Sequence, residues 1–190
     1  MEPETSAAPA AVARARAALA RRGIVTEVRV ADLRALAATH AGAGPFAAVL
    51  ACDNAIPHLP DDADILQAMR DCHALLAPGG LLVLSVRDYA VVTRRSPDLR
   101  PQAVHRLHDR RVIVVQVWEW EGDHYDLGLY LTEEAPDGAC RARVLRSRYY
   151  AVTIDRLVAL MTEAGFTRVE RVDDTFFQPL VIGIRAASRR

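Results

Sequence analysis

The sequence predicts one α/β domain: a parallel sheet with helices on its faces, interrupted by an antiparallel run of strands. Three observations carry that expectation. From Ile24 to Val86, strand-like and helix-like segments alternate with short connections, the pattern of a parallel sheet with crossover helices. "LLVLSV", Leu81 to Val86, is apolar without alternation, as a strand buried on both faces should be. Beyond Arg87 three β-rich segments follow one another, and the turn "APDG" parts the last two.

Each element has its own signal. Ser6 or a neighbour caps a first helix, with Pro9 in its first turn, that runs to Arg22 and stops at Gly23. "IVTEVRV", Ile24 to Val30, reads as a strand, "ADLRALAATH" as a short helix or turn, and "AGAGP" as a break. Phe46 to Cys52 is the next strand. From Asp61 or Asp62, Ile65, Met69, Cys72, Leu75 and Leu76 recur at helical spacing, and Pro78-Gly79-Gly80 ends that helix. The antiparallel segments are "RVIVVQVWEW", "HYDLGLYLTEE" and "CRARVLRSRYY", which make residues 104–150 an insertion or lid. A helix from Thr153 to Ala164, stopped by Gly165, and two strands, "TRVERV" and "FFQPLVIGIRA", complete the chain.

Composition removes several function classes. At 190 residues and 20.9 kDa, residues 1–190 suit one domain with a sizeable core. The 24 basic and 24 acidic residues cancel, so no global field gathers nucleic acid or an anionic membrane. Every basic residue is Arg, which matches codon bias in a GC-rich genome and carries no functional weight. Cys52, Cys72 and Cys140 form no C-x-x-C pair, no stretch is apolar enough to cross a membrane, and the N-terminus lacks the core of a signal peptide. A cytoplasmic protein is the expectation. His105 and His108 stand at H-x-x-H spacing without a further ligand cluster, so no metal is expected. Trp118 and Trp120 alternate on one face of a strand and read as core or lid packing. No nucleophile motif appears.

Ligands of open α/β sheets bind where strands end at their carboxyl side. Three such ends carry polar residues: Ala31-Asp32-Leu33, Cys52-Asp53-Asn54 through His58, and Arg87-Asp88-Tyr89. Any one alone reads as well as a capped or solvated loop; three together point to a pocket.

The segments "DNAIPHLPDD", "LLAPGGLLVLSVRDY" and "RSRYYAVTIDRLVALMTEAGF" resemble class I S-adenosylmethionine-dependent methyltransferases, and most closely the glycine/sarcosine N-methyltransferase branch. The likeness covers about Ser6 to Arg185 and implies a Rossmann-like sheet and methylation of a small amine or amino acid. It places Asp32 and Leu33 at adenine and the Cys52 backbone at the methionine end of S-adenosylmethionine. It gives Asn54 and Arg87 a substrate carboxylate, for which a guanidinium fork and an amide are suited donors. His58 and Tyr89 would line the methyl-transfer site as its catalytic residues, and Tyr149 or Tyr150 would close it. Methyl transfer of this kind rests on aligning an amine lone pair with the methyl carbon.

Two departures from the family pattern matter. Asp53 replaces the glycine expected before Asn54, and a carboxylate there argues against glycine as acceptor. The Gly-rich loop and the acid-ending strand that should seat the cofactor are not in the sequence. The expectation is therefore an N-terminally truncated sheet with an exposed strand edge, which favours a homo-oligomer or other association. The alternative is a non-catalytic remnant, or a subunit that requires a partner chain.

Overall fold

Side-chain caps and apolar spacing start the two helices that carry most of the core. The computed structural model describes residues 7–40, 42 and 44–187; the Ser6 cap and the Ala41 and Ala43 positions of the expected break lie outside them. In chain order the elements are α1 (Ala7–Arg21), α2 (Leu36–Thr39), β1 (Phe46–Ala51), α3 (Asp62–Leu75), β2 (Leu76–Ser85), β3 (Asp98–Leu107), β4 (Arg110–Glu121), β5 (His124–Glu134), β6 (Cys140–Tyr150), α4 (Ile154–Glu163), β7 (Phe166–Val172) and β8 (Leu180–Arg185). The Asp61 carboxylate accepts from the Asp64 amide at the start of α3, and the Thr153 hydroxyl from the Arg156 amide at the start of α4. Ile65, Ala68, Met69 and Cys72 of α3 and Leu157, Leu160 and Met161 of α4 are buried together. Gly183 of β8 lets α4 approach, since a Cβ there would stand 2.7 Å from the Met161 Cε.

The first sheet runs β1-β2-β8-β7. Only β1 and β2 are parallel neighbours; β8 is antiparallel to both β2 and β7, so the sheet is mixed instead of parallel throughout. The short connection from Val172 to Leu180 turns the chain straight back beside β7, which fixes that direction.

The second sheet is a meander, β3-β4-β5-β6, and it holds one strand more than the three expected. The extra strand, β3, is an edge strand with mostly exposed residues and a register shift between Pro101 and Ala103. Its polar composition hides it from any pattern of alternation, so the insertion begins at Asp98. His105 lies on this strand, with His108 in the turn beyond it, so the pair is not helical; no metal-ligating cluster occurs among the described residues.

Ile24 to Val30 is not a strand. Val25 is fully exposed, and the segment is held by the Arg16 guanidinium, whose Nε and NH2 donate to the Val28 carbonyl at 3.1 and 2.6 Å. A β-rich sequence forms a strand only where a neighbour completes its hydrogen bonds. Among the described residues β1 has β2 on one edge and no strand on the other, and Leu50 is 67% exposed. No helix is long and apolar enough to cross a membrane.

Candidate functional site

The turn after β1 is stapled to the end of β2. Asp53 and Asn54 both take left-handed backbone angles, φ 58° and 61°. The Asp53 amide donates to the Ser85 hydroxyl at 2.7 Å and the Asn54 amide to the Ser85 carbonyl at 3.0 Å. Asn54 is buried, and its side chain spans the two strand ends. Its Oδ1 accepts from the Arg87 amide at 3.0 Å, and its Nδ2 donates to the Tyr89 hydroxyl at 2.7 Å. That hydroxyl lies 2.9 Å from the Tyr125 hydroxyl of β5, which also accepts from Arg87 NH1 at 3.5 Å.

A row of rings runs from the second sheet to His58. Trp118 stacks on Tyr125 at 4.2 Å and 14°, Tyr125 on Tyr149 at 5.1 Å and 7°, and Tyr149 meets His58 at 4.2 Å. The strand register builds this row, because Tyr125 pairs across with Trp120 on one side and Tyr149 on the other. The Arg87 guanidinium lies 4.7 Å from the Trp118 ring centre, and that of Arg100 3.8 Å from it. Arg100 is paired with Asp98 at 2.8 Å, whereas the half-buried Arg87 has no carboxylate partner among the described residues.

Burial sets the protonation states of the row. It pushes the Tyr125 phenol far above the ordinary range, reinforced by Tyr89. Tyr149 is also raised, chiefly by burial, with Tyr89 and Asp53 adding to the effect and Arg87 opposing it. His58 keeps part of its surface in solvent, yet loss of water around its ring lowers its pKa, so the neutral imidazole prevails at neutral pH. The result is a row of neutral rings beside a guanidinium without a carboxylate partner among the described residues.

The structure thus gathers Asn54, His58, Arg87, Tyr89 and Tyr149. Two of the expected residues, Tyr89 and Tyr150, have their hydroxyls engaged within the protein. Tyr89 is 1% exposed, and its hydroxyl accepts from Asn54 and lies beside that of Tyr125. Tyr150, next along β6, points to the other face: its hydroxyl donates to Asp62 at 2.9 Å, and burial with that contact pushes its pKa up to about 12. Strand alternation thus turns Tyr149 toward His58 and Tyr150 toward Asp62.

The expected cofactor residues lie nearer solvent. Asp32 is exposed and caps the short turn Leu33–Ala35; its carboxylate accepts from the Arg34 amide and guanidinium, which hold its pKa down to about 2. Accepting from an adenine amine requires Arg34 to swing away, a small demand on an exposed side chain. Leu33 packs partly against the core, and Cys52 is exposed at the end of β1. No glycine-rich turn after a strand accompanies them among the described residues. Sequence reasoning passed over Tyr125, and Trp118 as the ring beside Arg87. The signal was available in the hairpin register, which sets Tyr125 between Trp120 and Tyr149.

No protein-family model and no curated protein sequence matches this chain. Solved structures do. An amino pentose methyltransferase of calicheamicin biosynthesis from Micromonospora echinaspora, bound to S-adenosylmethionine, superposes with a TM-score of 0.71 at 23% identity, over 92% of this chain and 72% of that one. A sugar N-methyltransferase from Streptoalloteichus gives 0.73 at 21%, over 90% and 67%. A methyltransferase from Streptomyces caelestis gives 0.68 at 18%, over 93% and 71%. The chain has the α/β, Rossmann-like fold of these methyltransferases.

Proposed function

We propose that the chain is an S-adenosylmethionine-dependent methyltransferase that methylates the amine of a small molecule, with glycine- or sarcosine-like amino acids as the acceptor class. The observation that carries this reading is Arg87. Its backbone is fixed by Asn54, and its guanidinium stands half-buried beside Trp118 and Tyr125 without a carboxylate of its own. A desolvated, unpaired guanidinium favours an acidic group on whatever binds there. The fold shared with an amino pentose methyltransferase and a sugar N-methyltransferase supports amine methylation and makes amino sugars a natural comparison set.

The bound cofactor would supply an electrophilic methyl group, with Asp32, Leu33 and Cys52 holding its two ends. The chain's own residues do the aligning. Asn54 holds Arg87 in place, Arg87 takes the acceptor's acid, and the Tyr149 ring limits where the amine can lie. His58, neutral and tilted against Tyr149, offers a ring nitrogen to a proton released from the amine. Positioning is the main contribution, as suits a displacement that needs no covalent nucleophile.

The test is transfer of labelled methyl from S-adenosylmethionine to glycine, sarcosine and a set of amino sugars by the full chain. Incorporation into an acid-bearing amine, with KM raised and kcat less affected in Arg87→Gln, is expected. Absence of both transfer and calorimetric cofactor binding overturns the reading.

A second reading, a subunit whose sheet another chain or a second copy completes, is favoured by the outer edge of β1, which exposes Phe46 and Leu50. Sedimentation as a monomer that binds cofactor fully speaks against it.

A further inference from the structure

Both faces of the meander are apolar, and only one of them is covered. The strand register sets Trp118, Trp120, Tyr125, Leu127, Leu129 and Tyr149 on one face, and all of them pack with the core. Ile113, Val115, Val117, Tyr130 and Val144 fall on the other face, and none of these belongs to that core. An antiparallel sheet with one face in water alternates apolar with polar residues. Along β4 the run "VIVVQV" breaks that rule, and Gln116, its polar member, sits on the covered face, accepting from the Trp118 indole N–H at 2.9 Å. The valines are therefore the residues left outside.

This outer face is also smooth. The Tyr130 ring lies over the buried Gly128, where an added Cβ would stand 2.9 Å from Tyr130 Cε2. A low-relief apolar face of this kind suits a second sheet, packed about 10 Å away.

The charges on the same face say which sheet. The row Arg106-Arg111-Glu134 carries one surplus positive charge, and the row Glu119-Asp126-Arg148 one surplus negative. They lie on either side of the row Pro101-Val115-Tyr130-Val144, at equal distances along β4. Arg111 is paired with Glu134 and Arg148 with Asp126, which leaves Arg106 and Glu119 without an ion pair among the described residues. A patch that is apolar in the middle and oppositely charged at its two ends is complementary to itself. A two-fold axis across the strands at the central row sets each end against the opposite end of a second copy, whereas an axis along the strands sets like ends together. Pairing through the edge of β6 is opposed by Arg141, Arg143, Arg146 and Arg148, with no acid between Cys140 and Tyr150.

We propose that the outer face of the meander is a dimer interface, on which a second copy of this chain packs sheet against sheet about a two-fold axis lying across the strands. It is independent of the methyl-transfer reading and of the β1 edge.

Sedimentation equilibrium of the full chain tests it. A dimer with a Kd of about 1 μM or tighter is expected. Val115→Arg sets two guanidinia against each other near the axis and should leave a monomer with the parent's circular dichroism. Val104→Arg, on the same face at a position 63% exposed, should do the same and serves where the first variant does not fold. Arg106→Glu and Glu119→Arg should each weaken the dimer about tenfold, and the double exchange should restore it. The proposal is overturned by a parent that is monomeric at about 100 μM, by a dimer that survives Val115→Arg or Val104→Arg, or by single exchanges that leave the dimer unchanged or tighten it. A dimer that only Leu50→Lys dissociates is held by the β1 edge and overturns it as well.

Discussion

The carboxyl end of the first sheet's parallel pair and the outer edge of β1 are built in opposite ways. At the carboxyl end, Asn54, Tyr89, Trp118 and Tyr125 are buried, and the Asn54 and Tyr89 polar groups are engaged with partners. Along the outer edge of β1 and the segment from Ile24 to Val30, apolar residues face solvent and the carbonyl of Val28 is held by a lone arginine. The difference teaches that the carboxyl end is held by its own buried hydrogen bonds. The β1 edge, by contrast, derives its order from one neighbour, β2.

The comparison can be broken by substitution, and the largest effect is expected at Trp118. Replacing this buried indole by alanine leaves a cavity under Arg87 and Tyr125 and should cost about 4 kcal/mol in urea unfolding. Asn54→Ala comes next: it strands the Tyr89 hydroxyl and the Arg87 amide, and about 3 kcal/mol is expected. Tyr150→Phe removes one part-buried hydrogen bond to Asp62 and should cost about 1 kcal/mol. Leu50→Lys, on the exposed edge, should stay within about 0.5 kcal/mol of the parent. A large loss at Leu50 would mean that something covers the β1 edge in solution, and the contrast would collapse.

A pH titration sharpens the same contrast. The folded-state pKa of His58 is depressed below the unfolded imidazole value, so the unfolded chain binds the proton more readily. The stability linked to His58 is therefore intact above that ordinary value, about 6.5, and is lost as pH falls below it. Its ring resonances should titrate with a midpoint below the ordinary value, and Tyr149→Ala, which rehydrates the ring, should move the midpoint back up. A midpoint at or above the ordinary value in the parent would show that Tyr149 does not shield the ring.

Much of this was legible in the sequence for physical reasons. Buried strands and amphipathic helices leave periodic patterns, so β1, α3, β2, β4 to β6 and α4 were readable. The strand β3 was not, because an edge strand needs little apolar content. Ile24 to Val30 carried the pattern of a strand and lacked the neighbour that makes one. Within the site, Asn54, His58, Arg87 and Tyr149 stood out as polar or aromatic groups at strand ends. Tyr125 did not, because its role comes from cross-strand register with Trp120 and Tyr149. Tyr150 was indistinguishable from Tyr149 until alternation assigned each to a face.

The bond from Tyr150 to Asp62 has a further consequence. Asp62 also takes the Arg156 guanidinium at 2.8 Å, and His124 Nε2 lies 2.7 Å from the Pro60 carbonyl. These contacts button the end of the meander to the starts of α3 and α4 along one seam. Cys52 and Asp53, in the turn after β1, stand in solvent away from these contacts, so a cysteine-directed label on Cys52 should leave the seam intact.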